Sequence, residues 1–390
     1  MSEKYKYELR GVSATKDEVH AAIKNQDKGL FPNAFCKILP DVVGNDPAYC
    51  NLMHADTAGT KTSIAYMDWK ETGNDRIWRG IAQDAIVMNL DDMACVGCVD
   101  HIVLSSTIGR NKQLISGGVI QQIIESAQSF TETMTKHGVG IHLAGGETAD
   151  VGDVVRSIDV GYTAFARMKR EDLIVNDVQD GDVIVGVASY GQASYESVYN
   201  SGIGSNGLTS ARHDVLRKSY ANDFPDSFDP NIVSSVVYTG SKSLQDVVEY
   251  DGKSYRVGDL LLSPTRTYLP VIKAALDQFR PHINGMIHNT GGGQTKVLKF
   301  VENKHIIKDN LIALPPVFKL IKEESGTDWK ELYQVFNMGC RLEFYLSAAQ
   351  APALVELVKS FGIDAQIIGR VEAADTNKLT LESPFGQYTY

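Results

Sequence analysis

Apolar residues recur at positions 81, 85, 86, 88, 90, 93, 94 and 96 with no intervening Gly or Pro, which predicts a mostly buried helix from Ile81 to Val96. Its acids stand out. Asp84 and Asp91 are seven residues apart and nearly eclipse on a helix, while Asp92 lies about 100° further round. A second amphipathic helix runs from Gly118 to His137, with Ile120, Ile123, Ile124, Ala127, Phe130 and Met134 as its apolar stripe and Gly138 ending it. Apolar runs predict strands at Asn51 to Asp56, Val139 to Ala144, Ser157 to Ala166, Asp182 to Ala188, Asn284 to His288 and Ala365 to Val371. Further helices are expected at Arg10 to Lys24, Asn206 to Tyr220 and Ala351 to Phe361, with one opened by Ser263-Pro264. The stretch from Ala221 to Gly258 reads as loop-rich.

The alternation breaks into charge at Arg167 to Asp172, and a new strand follows, so two domains are expected, 1–169 and 170–390. Strands and helices mix in both, giving an α+β (mixed α/β) fold class with helices covering sheet faces. With 38 basic and 48 acidic residues the net charge is −10, which disfavours nucleic acid or an anionic membrane as partner. Any phosphate ligand then depends on metal ions, backbone amides and a few local cations. Five cysteines form an odd, sparse set with no disulfide framework, the opening residues carry no apolar leader, and no apolar run approaches the ~20 residues of a membrane span. A soluble, cytoplasmic protein is the expectation.

Four glycine-bearing turns each follow an apolar run: Asp56-Thr-Ala-Gly-Thr-Lys61, Gly145-Gly-Glu-Thr-Ala-Asp150, Ser205-Asn-Gly207 and His288-Asn-Thr-Gly-Gly-Gly293. Glycines let backbone amides approach phosphate oxygens. None matches a Walker loop or a dinucleotide fingerprint. Asp56, Asp91, Asp92, Glu147, Asp150 and Asp159 supply the hard oxygen donors that Mg²⁺ takes when it bridges nucleotide phosphates, although Asp150 and Asp159 read equally well as caps. Asp92, inside an apolar helix, demands a bound cation or an arginine partner. Cys95-Val-Gly-Cys98 has redox spacing but no second pair or nearby histidines, so two buried small hydrophobes are the better reading. His54 and His288 stand out among the histidines because each precedes a candidate turn.

In order, these motifs resemble those of the aminoimidazole ribonucleotide synthetase family. Gly11-Val12 and Lys24 are similar to its opening segment, Asp56 to Lys61 to DGVGTK, Asp91-Asp-Met93 with Gly97 to its NDL helix, and Gly145 to Asp150 to GGETAE. Gly204-Ser-Asn-Gly207 resembles HSNG, Leu262 to Arg266 resembles L(T/A)PTR, His288 to Gly293 resembles H(I/L)TGGG, and Phe336-Asn-Met-Gly339 resembles FN(M/C)G. The resemblance implies a homodimer whose first domains pair through their sheets into a barrel. It implies ATP and Mg²⁺ in a nearby cleft, and ring closure of formylglycinamidine ribonucleotide through an iminophosphate. It places Asp56, Asp92 and Glu147 at the metal. Gly59, Thr60, Lys61, Gly145, Gly146 and Thr148 fall at the nucleotide, Lys24 and Lys61 balance phosphate charge, and Asn206, His288 and Thr290 face the substrate.

The chain departs from the family where its HSNG histidine is Gly204, and where extra residues fall between Gly191 and Ser205 and from Ala221 to Gly258. His213 and Tyr190 are candidates to replace that histidine. Two rival readings are another phosphoryl-transfer enzyme of the same group, such as a small-molecule kinase, and a non-catalytic nucleotide-binding relative.

Overall fold

The computed structural model describes residues 6–12 and 21–390. The helix expected at Arg10 to Lys24 therefore lies largely outside the described residues. Strands β1 (Ile38–Pro40), β2 (Tyr49–Thr57), β3 (Ile102–Arg110), β4 (Ile141–Asp150) and β5 (Ile158–Lys169) form a five-stranded sheet in the order β1-β2-β5-β3-β4. Its pairs are antiparallel except β3 with β4, whose parallel pairing needs the long crossover that α3 (Gly117–Lys136) supplies. Between β2 and β3 lie α1 (Lys61–Thr72) and α2 (Ile77–Ala94). The sheet alternates as a one-sided sheet must. Leu52, Leu104, Ile108, Ala164 and Ala166 are buried on the face packed by α2 and α3. On the opposite face Met53, Phe165 and Val103 align in one row, with Met53 63% and Val103 37% exposed.

One motif differs from its expected form. The strand predicted to stop at Ala144 continues to Asp150, so the Gly145-Gly-Glu segment is not a turn. Gly145, at φ +85°, lies where the register with β3 shifts between Leu104 and Ser106, and a Cβ on Gly146 would meet the Ser106 carbonyl at 2.2 Å. The glycines make a bulge and a close strand approach, which sequence spacing alone cannot distinguish from a turn.

The C-terminal half builds a seven-stranded sheet from β6 (Val183–Ala188), β9 (Ile283–His288), β10 (Lys304–Lys308), β11 (Cys340–Leu346), β12 (Ala365–Ala373), β13 (Lys378–Ser383) and β14 (Gly386–Thr389). Its order is β14-β13-β10-β12-β6-β11-β9. A hairpin of β7 (Val247–Tyr250) and β8 (Lys253–Arg256) stands apart inside the region expected to be loop-rich. The helix expected from Asn206 to Tyr220 is split into α4 (Leu208–Val215) and a separate short helix, Ser219–Asp223, because Leu216 and Arg217 leave the helix to bridge Lys242 and Gly240. The helix expected to open at Ser263-Pro264 begins only at α5 (Leu269–Phe279), with Pro270 in its first turn. Acids of α2 hold the intervening segment out of helical geometry. Among the described residues no helix is long and apolar enough to cross a membrane.

Candidate functional site

Three of the four glycine motifs meet. A cavity of about 660 Å³ between the halves is lined by His54, Asp56, Gly59 and Thr60 from the end of β2, by Asp92 from α2, by Ser205, Asn206 and Gly207, and by Thr290, Gly291 and Gly292 after β9. The alternation of β2 explains the first group. His54 and Asp56 share the helix-facing side with Leu52, which turns both toward α2 and Asp92, while Met53 and Ala55 face outward. The Thr60 and Thr209 hydroxyls lie 2.9 Å apart, joining the two halves at the rim.

Asp92 is the most constrained of these groups. His288 Nδ1 is 2.7 Å from one carboxylate oxygen and His54 Nε2 is 3.5 Å from the other. Burial alone would raise its pKa, yet hydrogen bonds from these two imidazoles hold the carboxyl well below the usual carboxylate range. Burial likewise works to lower the His54 pKa, but the Asp92 carboxylate and Asn89 raise it above the ordinary histidine value. Asp56 accepts from the Thr57 amide at 2.8 Å. Two carboxylates thus face one cavity, and among the described residues no three His, Cys, Asp or Glu groups are arranged to hold a metal ion by themselves. A cation held here by Asp56 and Asp92 would have to complete its coordination with phosphate oxygens and water.

His288 is placed differently from its expected role. It is fully buried with both ring nitrogens engaged, Nδ1 by Asp92 and Nε2 by Arg341 Nε at 3.2 Å, so it supports the cavity from beneath. Lys61 is also buried. Its ammonium donates to Asp84 at 2.8 Å, to the Gly204 carbonyl at 3.1 Å and to the Ser263 carbonyl at 2.5 Å, which uses all three N–H groups. Asp84 further accepts from the Thr265 amide and hydroxyl, and Asp91, two turns along on the same face, accepts from the Thr267 hydroxyl at 2.7 Å and the Tyr268 amide at 3.0 Å. The eclipsed pair on α2 therefore staples the Ser263 to Tyr268 segment of the other half. Burial pushes the Asp91 pKa up.

Lys24 occupies an exposed turn and does not line the cavity. The cations that do are Lys296 and Lys299. They sit three apart on a 3₁₀ helix, Gly293–Lys299, whose period superposes them on one face. Lys296 Nζ donates to Thr290 Oγ1 at 2.7 Å. Sequence reasoning passed over both, and the available signal was their i, i+3 spacing directly after the triple glycine.

Glu147 is not brought to Asp56 and Asp92. Its register partner is Thr107, on the outward face with Met53, and Gly145, Gly146 and Thr148 are exposed along the same edge strand. Asp150 is paired with Arg110 at 2.8 Å. Of the candidates for the Gly204 position, Tyr190 lines a different cavity and His213 is sealed between Phe228 and Tyr238. Cys95 and Cys98 are buried free thiols; burial raises both, Cys98 to about 12, which suppresses the reactive thiolate.

Comparison with known proteins falls on the same frame. The profile described as "AIR synthase related protein, N-terminal domain" matches residues 41–168, and its C-terminal counterpart matches residues 179–382. The chain belongs to the AIR synthase related family. Within that family it is 29% identical over 331 residues to a phosphoribosylformylglycinamidine cyclo-ligase of Methanococcus vannielii, covering 83% of this chain and 78% of that protein. It is 28% identical over 328 residues to the protein of the same name from Methanocaldococcus jannaschii, with coverages of 83% and 78%. Among solved structures, the HypE–HypF complex matches with a TM-score of 0.56 at 13% identity over 97% of this chain and 98% of that one. Thermotoga maritima PurL complexed with FGAR matches with a TM-score of 0.55 at 13% identity, covering 97% of this chain; the chain spans 49% of that longer one. These likenesses show the two-domain AIR synthase fold.

Proposed function

We propose that this chain is an ATP- and magnesium-dependent cyclo-ligase that closes formylglycinamidine ribonucleotide to aminoimidazole ribonucleotide, releasing ADP and phosphate. The observation that carries this reading is the convergence of three glycine motifs, two carboxylates and two lysines on one cavity, in a family whose members include cyclo-ligases. In the reaction the substrate amide oxygen attacks the γ-phosphorus of ATP, the bond to the bridging oxygen breaks, and ADP leaves. A substrate nitrogen then attacks the iminophosphate carbon. The C–O bond to phosphate breaks, the nitrogen loses its proton, and the imidazole is closed.

Phosphoryl transfer depends chiefly on position and charge neutralisation. The backbones at Gly59, Gly291 and Gly292 and the Thr60 hydroxyl hold phosphate oxygens; Lys296 and Lys299 balance their charge; Asn206 and Thr290 orient the substrate. Asp56 and Asp92 would hold Mg²⁺, which when bound neutralises phosphate charge. Lys61 and His288 act as supports beneath these groups.

The protein acts as a homodimer paired through the outward sheet face. The row of Met53, Phe165 and Val103 supports this, since an apolar sheet face of this kind favours a covering partner. Glu147 lies on that face, with Gly145, Gly146 and Thr148 exposed beside it on the edge strand, and in the dimer this segment reaches the nucleotide of the opposing protomer. The test is purified protein with ATP, Mg²⁺ and formylglycinamidine ribonucleotide, following ADP and aminoimidazole ribonucleotide together. Equal amounts of both are expected; ADP alone would replace the cyclo-ligase by a kinase.

A further inference from the structure

A buried arginine lies behind the cavity with an unusual set of contacts. Arg341, on β11, is 2% exposed; its Nε donates to His288 Nε2 at 3.2 Å, its Nη2 donates to the Arg266 carbonyl, and its Nη1 has no hydrogen-bond partner. Its guanidinium lies over the Tyr268 ring, 5.1 Å from the centroid. It also fills the space that a side chain at position 204 would enter: a Cβ built on Gly204 meets Arg341 Nη1 at 3.6 Å and Cδ at 3.8 Å. No carboxylate forms an ion pair with it among the described residues.

A guanidinium is protonated at every relevant pH and can only donate. The His288 nitrogen facing it must therefore carry the lone pair, which leaves the proton on Nδ1, 2.7 Å from Asp92 Oδ1. The opposite tautomer would set two N–H groups against each other at Nε2 and two lone pairs against each other at Asp92. We infer that Arg341 is a positioning residue for the magnesium-nucleotide site, fixing the Nδ1–H tautomer of His288 and through it the orientation of the Asp92 carboxylate toward the cavity. Asp92 Oδ1 is held by His288, and the second oxygen is the one turned toward His54 at 3.5 Å. The order is donor, imidazole, carboxylate, cation: a group hydrogen-bonded to a metal ligand fixes that ligand's orientation. The inference rests on the proposed function for its magnesium arm alone.

The test is ¹⁵N NMR of the full-length, metal-free protein labelled at histidine, with the His288 signals assigned by H288Q. Wild type is expected to show a protonated Nδ1 and a lone-pair Nε2. R341M is expected to lose that signature and to raise the magnesium concentration needed for ATP binding, measured by calorimetry, roughly tenfold to a hundredfold. R341K, whose ammonium still donates, is expected to keep it. A wild-type ring protonated at Nε2 overturns the inference, as does an R341M protein that keeps the signature or binds Mg-ATP unchanged. Should R341M fail to fold, the wild-type and R341K spectra decide the matter. A protein that shows the expected tautomer but forms no imidazole product loses the cyclo-ligase reading and keeps this one.

Discussion

Replacing Lys61 by methionine separates two roles for this lysine, one in phosphate binding and one inside the fold. In the structure Lys61 and Asp84 have 0% side-chain exposure, and Nζ is saturated by Asp84 and two carbonyls. K61M keeps all but the last atom of the side-chain length and removes the charge, leaving the Asp84 carboxylate with donors from Thr265 alone and with its Oδ2 already unpartnered. Breaking one side of a buried ion pair costs about 3–5 kcal/mol. With roughly 2–4 °C of Tm per kcal/mol for domains of this size, thermal unfolding should fall on the order of 6–20 °C. The double variant K61M/D84N removes the stranded charge while Asn can still accept from Thr265, and should recover more than half of the loss. Differential scanning calorimetry on the three proteins measures this directly. If K61M melts within about 2 °C of wild type while ATP turnover disappears, less than 1 kcal/mol was at stake and the buried-pair argument fails.

D92N should lower kcat/KM on the order of 10²–10³-fold with Tm within a few degrees of wild type, because the asparagine oxygen can still accept from His288; wild-type turnover would remove Asp92 from the site. K296M should raise the KM for ATP roughly tenfold, read from ADP release at saturating co-substrate, whereas an unchanged KM would separate this lysine from the phosphates. His213 gives the chain an acid-sensitive core. Burial, then Arg212, Arg10 and Lys218, push it down to about 2, so below about pH 6.5 the unfolded chain binds a proton that the folded chain refuses. Its contribution is fully present above pH 6.5 and is lost on acidification at roughly 1.4 kcal/mol per unit. Urea unfolding at pH 7 and 5.5 should show a smaller stability difference in H213Q than in wild type, and equal differences would refute this.

Periodicity exposed the elements with strong apolar stripes. The helices around Ile81 and Gly118 and the strand ending at Asp56 lie within a few residues of their expected places, because burial on one face imposes a period on the sequence. Segments governed by remote partners were not legible. Ser263 to Tyr268 looks like a helix start, but its donors go to Asp84 and Asp91, far earlier in the chain. Gly145 marks a bulge and not a turn because of a neighbouring strand that no local pattern announces. For the cavity, Asp56, Asp92, Asn206 and Thr290 were visible as polar residues on glycine turns or in an apolar helix. Arg341 was not visible, since it sits in a strand buried along its whole length, Cys340–Leu346, where nothing in the sequence marks it as the donor to His288.

Helix α2 also limits how the cleft can work. It is anchored in the N-terminal sheet, yet its acids bond to Lys61 and Thr265, to Thr267 and Tyr268, and to His288, so it is shared property of both lobes. Swinging the lobes apart like jaws would tear several buried charged contacts at once, at a free-energy cost comparable to unfolding. Ligand exchange in this protein then proceeds with the two lobes held together by α2, and turnover should be indifferent to the stiffness of the interlobe connection.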